Sequence, residues 1–186
     1  MLVEAVILGM ITGLIIRRGQ LGWLAQINLK YLYLPVVAMM LEYMGTILLR
    51  LGYGQSATWV IEFLVYGILF TFIWLNASKS AMLLIMVGIA LNALVIFTNG
   101  GMMPVDVDKP LDYGYEQKVN ALYEGHIFGH QVMTEKTTFK GLADIFYILP
   151  PYPMPKSFSV GDICISAGVL ILLISGALIE RSDTCT

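Results

Sequence analysis

The chain has 186 residues, 58% hydrophobic and 13% charged, with a mean hydropathy of +0.76. A soluble domain carries about 25% charged residues, so this composition excludes an ordinary soluble domain and implies a polytopic membrane protein in contact with a lipid bilayer. A formal net charge of −2 with no Lys/Arg cluster argues against nucleic acid as a partner, and no Cys/His cluster has zinc spacing, so neither a metal nor a cofactor is expected.

Residues 2–16, LVEAVILGMITGLII, form a short apolar first span closed by Arg17–Arg18. A secretory leader carries its positive charge ahead of the apolar run, so this helix is expected to be retained. In residues 19–30, GQLGWLAQINLK, Trp23 joins Leu21, Leu24 and Ile27 on one helical face, which predicts an interfacial helix or a tight re-entrant turn. The second span covers 31–50, with Pro35 in its first turns, where a missing N–H does least harm. The third covers 57–75, a short turn follows at 76–79, and the fourth covers 80–98. A polar segment, 99–160, holds seven of the thirteen acids, all between Asp106 and Asp144. The fifth span, 161–179, ends at Glu180–Arg181. The expected fold is one all-α domain over 1–186: a transmembrane bundle of about five spans with a long, partly ordered extracytoplasmic loop between the fourth and fifth. Arg17, Arg18, Lys30, Lys79 and Arg181 fall on one side, against Arg50, Lys109 and Lys156 on the other. That split predicts an N-terminus outside and a C-terminus in the cytoplasm.

Two acids lie inside apolar spans: Glu42 in VVAMMLEYMGTILL and Glu62 in WVIEFLVYGILF. A charge at a helix centre costs about 2.5–3.5 kcal/mol on insertion scales, so both are candidates for a site, against the plainer reading of a protonated or snorkelling side chain. Asn92 and Asn99 are two helical turns apart and share a face that must look into the bundle, as site residues or as interhelical glue. Gly100–Gly101 followed by Pro104 is a helix stop that can leave backbone amides open to a small polar ligand. Near the last span, Ser159 can cap a helix beginning near Gly161, with Asp162 in its first turn, where the helix dipole favours a carboxylate. Four prolines between 150 and 155 hold a stiff approach to it, and GLADIFYIL before them is expected to lie along the membrane surface as an amphipathic piece. His126 and His130 are i, i+4 in EGHIFGHQV. On a helix they would share a face and could bind one metal ion, but Gly125 and Gly129 argue against a helix there, which favours polar loop residues with His130 bonded to the backbone or to Thr134. The two cysteines, Cys164 and Cys185, form no disulfide framework.

The stretch GIALNALVIFTNGGMMPVD, with its N-G-G-x-M-P core, and the later GHQVMTEKTTFKGLADIFYILPPYPMPKSFSVGDICISAG, with its S-x-G-D core, resemble a bacterial family of small integral membrane proteins of unknown function. The resemblance implies a multi-pass protein of the bacterial cytoplasmic (inner) membrane and supplies no substrate. A shorter echo, FSVGDICISAG, is similar to a signature of lipoprotein signal peptidases in Phe158, Asp162, Ile165 and Gly168. Ser159 and Gly161 depart from that signature, and the peptidases' second motif is absent. The echo implies Asp162 as one catalytic carboxylate; Asp144 is the plausible second acid nearby, with Glu124 behind it.

Three functions follow. The first is binding or transport of a small molecule in a polar pocket under 99–160, with Glu42, Glu62, Asn92, Asn99, Gly100, Gly101 and His130 as ligand-binding candidates. The second is a structural subunit that docks a membrane protein partner or a second copy of itself. The third is an aspartyl-type hydrolase using Asp144 and Asp162.

Overall fold

The computed structural model describes residues 1–53, 57–107, 116–148, 151–152 and 155–183. Lys109, Cys185, Pro150 and Pro153 lie outside the described residues, as do the side chains of Glu180 and Arg181. In chain order the elements are α1 (Leu2–Ile16), α2 (Tyr33–Leu48), α3 (Thr58–Leu75), α4 (Ser80–Thr98), β1 (Met103–Val105), α5 (Glu116–Tyr123), β2 (His130–Val132), β3 (Phe146–Ile148), β4 (Lys156–Phe158) and α6 (Val160–Asp183).

Among the described residues four helical stretches are long and apolar enough to cross a membrane: Tyr33–Tyr53, Thr58–Leu75, Ser80–Thr98 and Val160–Leu178. The expected first span, α1, is apolar but has 15 residues. It therefore reaches roughly 22 Å, short of the roughly 30 Å hydrocarbon layer. The chain is a membrane protein with these apolar helices as its frame.

The helices pack as an open arc in the order α1, α6, α4, α3, α2. In lipid no hydrophobic force drives helices together, so close packing depends on small residues at the crossings. Gly88 on α4 meets Gly161 on α6: a Cβ on Gly88 would lie 2.5 Å from the Gly161 carbonyl oxygen and 2.8 Å from the Ile165 nitrogen. One helical repeat away, a Cβ on Gly168 would lie 2.5 Å from Ile85 Cγ1. Only glycine lets these backbones touch.

Residues 22–27 form a 3-10 helix. Trp23 in it is fully buried rather than interfacial, wedged over Gly13 of α1 and packed with Ala177 of α6. Asn76, at the end of α3, accepts a bond from Lys30 N–H at 2.8 Å and donates to Lys30 C=O at 3.0 Å and Phe72 C=O at 2.9 Å. These bonds pin the start of α2 to the end of α3. The same end of the arc is filled by Phe72, Ile73, Met82, Ile85 and Ile89, with Leu29 and Leu34 against them. At the other end Glu4, in the first turn of α1, holds Lys156 in an ion pair and accepts from the Tyr152 hydroxyl at 2.5 Å. The described residues of 99–160 therefore gather over one end of the arc.

That segment has more local order than a loop. Its strands are three residues each, and they add a β element to the helical fold. β1 pairs in parallel with β2, in register Met103 with His130, and β3 pairs antiparallel with β4, in register Tyr147 with Ser157. A bridge between Val105 and Asp144 joins the two pairs. The helix α5 covers a small core of Val105, Val107, Val119 and Leu122. Of the stretch 141–149, expected to lie along the membrane surface, residues 141–148 close a 3-10 turn and form β3, their backbone groups pairing within the segment. His126 and His130 share no helix: α5 ends at Tyr123, and Gly125 and Gly129 take φ of +69° and +72°.

Candidate functional site

Beneath the 99–160 segment lies a cavity of about 550 Å³. The walls come from α2 (Glu42, Thr46), α3 (Glu62, Tyr66), α4 (Asn92, Ile96) and α6 (Asp162), and the roof from Phe128, His130, Asp144 and Ser157. Among the described residues four carboxyl groups line it, and no lysine or arginine does. Of the candidates named from sequence, Glu42, Glu62, Asn92, His130, Asp144 and Asp162 share this space, whereas Asn99, Gly100 and Gly101 do not line it.

The start of α6 is built as a reciprocal cap. Ser159 is buried, and its Oγ accepts from the Asp162 N–H at 3.1 Å while the Asp162 Oδ2 accepts from the Ser159 N–H at 3.1 Å. This is the S-x-x-D form of the capping box. The cap is locked to α4 by Asn92, whose Nδ2 donates to Asp162 Oδ1 at 2.9 Å and whose Oδ1 accepts from the Ser159 hydroxyl at 2.7 Å. Gly161 makes room for this corner: a Cβ there would collide with Asn92 Oδ1. Both Asp162 oxygens are acceptors in this ring, the arrangement that suits a carboxylate at a helix N-terminus.

Glu62 stands differently. It is 5% exposed, and a Cβ on Gly129 would lie 2.8 Å from its Oε1. Among the described residues no hydrogen-bond or ion-pair partner is seen for its carboxyl. Glu42, from the neighbouring α2, is exposed and opens onto the same cavity. His130 Nδ1 lies 2.9 Å from the Phe128 carbonyl, which only accepts, so Nδ1 carries the proton and the ring is fixed in orientation. Asp144 is held by its backbone, donating to Pro104 C=O and accepting from Asp106 N–H, each at 3.0 Å. Burial pushes its carboxyl up to about 6; the Asp162 charge acts in the same direction, while His130 and the Ser157 hydroxyl, donating at 3.0 Å, oppose it.

The Gly-Gly turn works as a clamp. Gly100 and Gly101 have φ of +78° and +84°, and the Gly101 N–H donates to Ile96 C=O at 2.9 Å, closing the end of α4. A Cβ on Gly101 would lie 2.8 Å from the Trp59 Cα, so glycine also lets the turn sit on α3. Asn99 donates to Val95 C=O at 2.7 Å and Thr138 C=O at 3.1 Å and accepts from Thr138 N–H at 3.0 Å, while its own carbonyl accepts from Gln131 at 2.8 Å. It ties the outer segment to the helix end. The shared face expected of Asn92 and Asn99 does not carry both into one space, because Asn99 lies past the last turn of α4.

Sequence reasoning missed Thr46, Tyr66 and Ile96 as lining residues. Each stands four positions after a residue it did single out, respectively Glu42, Glu62 and Asn92, and the i, i+4 rule would have found them. Ser157 carried no such signal; it reaches the cavity through the pairing of β3 with β4. Among the described residues no group of three or more His, Cys, Asp or Glu is arranged to hold a metal ion.

No curated protein and no solved structure matches the chain. Residues 26–174, from the 3-10 turn into α6 and including every residue that lines the cavity, match the model of a family of unknown function, DUF5317, and the chain belongs to that family.

Proposed function

We propose that the chain binds a small cation, with a protonated amine as the best-fitting class, in the cavity under residues 99–160. The observation that carries this reading is Glu62: among the described residues it is buried and without a partner, and it faces a cavity that three further carboxyl groups line and no described lysine or arginine does. A buried carboxylate without a partner is destabilising by several kcal/mol. A cation that enters the cavity removes that penalty and gains charge-assisted hydrogen bonds. Thr46, Tyr66 and Asn92 add neutral polar groups that can orient it. With the 99–160 segment outside, as the Lys/Arg distribution has it, the cavity lies at the extracytoplasmic edge of the bacterial inner membrane.

The test is calorimetry on the purified chain in phosphatidylcholine nanodiscs, titrated with propylamine, with acetate and with glucose. The amine gives saturable heat and the other two give none. Glu62→Gln weakens the amine by about tenfold or more, as the loss of a charged hydrogen-bond partner requires. Equal binding of acetate, or no amine binding at all, refutes the proposal.

Hydrolysis by Asp144 and Asp162 has in its favour that both line the cavity. Against it, each Asp162 oxygen already accepts a bond within the capping ring, so this carboxylate serves the fold. A subunit that docks a partner or a second copy would use the apolar outer faces of the helices and leave the acidic cavity without a role.

A further inference from the structure

The place where the cavity opens narrows the class of ligand. Met39 and Tyr43 line it, yet they are 69% and 67% exposed, so the mouth lies along α2. Met39 is nine residues before Leu48, the last residue of α2, which places the mouth roughly 14 Å below that end. The apolar stretch Tyr33–Tyr53 runs past both sides of this level, so a bilayer spanned by it puts the mouth within the hydrocarbon layer. The arc explains the gap: α2 packs on α3, and among the described residues no extensive packing joins it to α6 or α1. Above the mouth the way is narrowed, because Phe128 of the outer segment rests on Gly45. Around the mouth the α2 surface is apolar and exposed, with Val36, Met40, Met44 and Ile47 beside Met39 and Tyr43.

A water-soluble cation has no reason to approach through hydrocarbon. A cation attached to a hydrocarbon chain does, since its tail stays in the bilayer while its head passes between Met39 and Tyr43 toward Glu42 and Glu62. We infer that the ligand is an amphiphile with a primary ammonium head, a lipid-borne amine that enters from the side, its tail lying on the face of α2. This inference rests on the cation reading above and commits to the lipid-borne source of the amine over the free one.

The probes are dodecylamine and dodecanol, each with a diazirine near the tail end, photolysed in phosphatidylcholine nanodiscs and mapped by mass spectrometry. The amine is expected to label the α2 peptide containing Met39 and Tyr43 about fivefold more than the alcohol does. Glu62→Gln is expected to bring the amine down to the alcohol level. Met39→Trp, which narrows the mouth, is expected to remove the selective labelling; circular dichroism melts confirm that both variants fold. If propylamine binds and depends on Glu62 while the long-chain amine labels all helix faces as the alcohol does, the lipid-borne source is overturned and the cation site stands. Selective labelling that survives Glu62→Gln overturns the inference as well, because the α2 face would then hold the chain without the head. Loss of both the propylamine heat and the selective labelling overturns the two readings together.

Discussion

Two corners of one cavity hold an acid each and treat it in opposite ways. At the start of α6, Asp162 is enclosed by donors: Asn92 on one oxygen and the Ser159 N–H on the other. Across the space, Glu62 is 5% exposed with no partner seen among the described residues. A fold left to maximise stability would treat both like Asp162, since an unpaired buried carboxyl is a standing penalty. The contrast separates an acid that builds the helix crossing from one that the fold leaves available for a ligand.

The comparison can be broken most severely at Gly161. A Cβ there collides with Asn92 Oδ1 and would lie 2.7 Å from the Gly88 carbonyl oxygen. Gly161→Val is expected to force α4 and α6 apart and open the capping ring, destabilising the chain by about 3 kcal/mol or more. Denaturant titration in detergent checks it, and a variant that unfolds at the wild-type midpoint would show that the crossing is looser than its geometry. The next effect is on pH. Asp144 goes from 3.8 to about 6 on folding, chiefly by burial. The folded chain therefore binds this proton more tightly than the unfolded chain. The associated stabilisation is full below pH about 4 and is lost as pH rises through about 6, a change of at most about 3 kcal/mol. Unfolding midpoints measured from pH 4 to pH 8 should fall across that window, and Asp144→Asn should flatten the curve.

Much of the frame was legible because lipid imposes long apolar runs, and the runs from 31 to 98 and from 161 onward mark their own ends with Arg50, Asn76–Lys79 and Glu180–Arg181. The convergence of Glu42, Glu62 and Asn92 was legible for the same reason: a polar side chain within a span must face the protein interior. What the sequence left hidden has equally physical causes. Strands of three residues have no periodicity to detect, so the pairing that carries His130 and Ser157 to the roof gave no signal. Asn99 was misplaced because helical spacing gives a face and not a height. The open arc was also invisible, since hydropathy does not record which helices are neighbours.

The corner at Asp162 can be sharpened by an isosteric change. Asp162→Asn puts an NH₂ group against either the Asn92 amide or the Ser159 N–H, both of which donate there. Two donors facing each other, with one acceptor removed, are expected to be destabilising by about 1–3 kcal/mol. The readout is the unfolding midpoint, together with protease protection of the start of α6.

The smallest expected effect is the most informative. Glu62→Gln makes the same chemical change as Asp162→Asn, a carboxyl to an amide of equal size, on the other side of the cavity. No donor partner is seen to be offended among the described residues, and the burial of a charge is relieved. Without ligand the variant is therefore expected to unfold within about 1 kcal/mol of the wild type or slightly above it. Adding propylamine should raise the wild-type midpoint and leave that of the variant where it was, since only a species that binds the folded state shifts the equilibrium. A loss as large as that of Asp162→Asn would mean that Glu62 is tied into the fold like its counterpart, and the distinction between the two corners would disappear. Near-neutral stability combined with a lost ligand response would assign the two acids to different tasks: one carboxylate holds the helices, and the other waits for a positive charge.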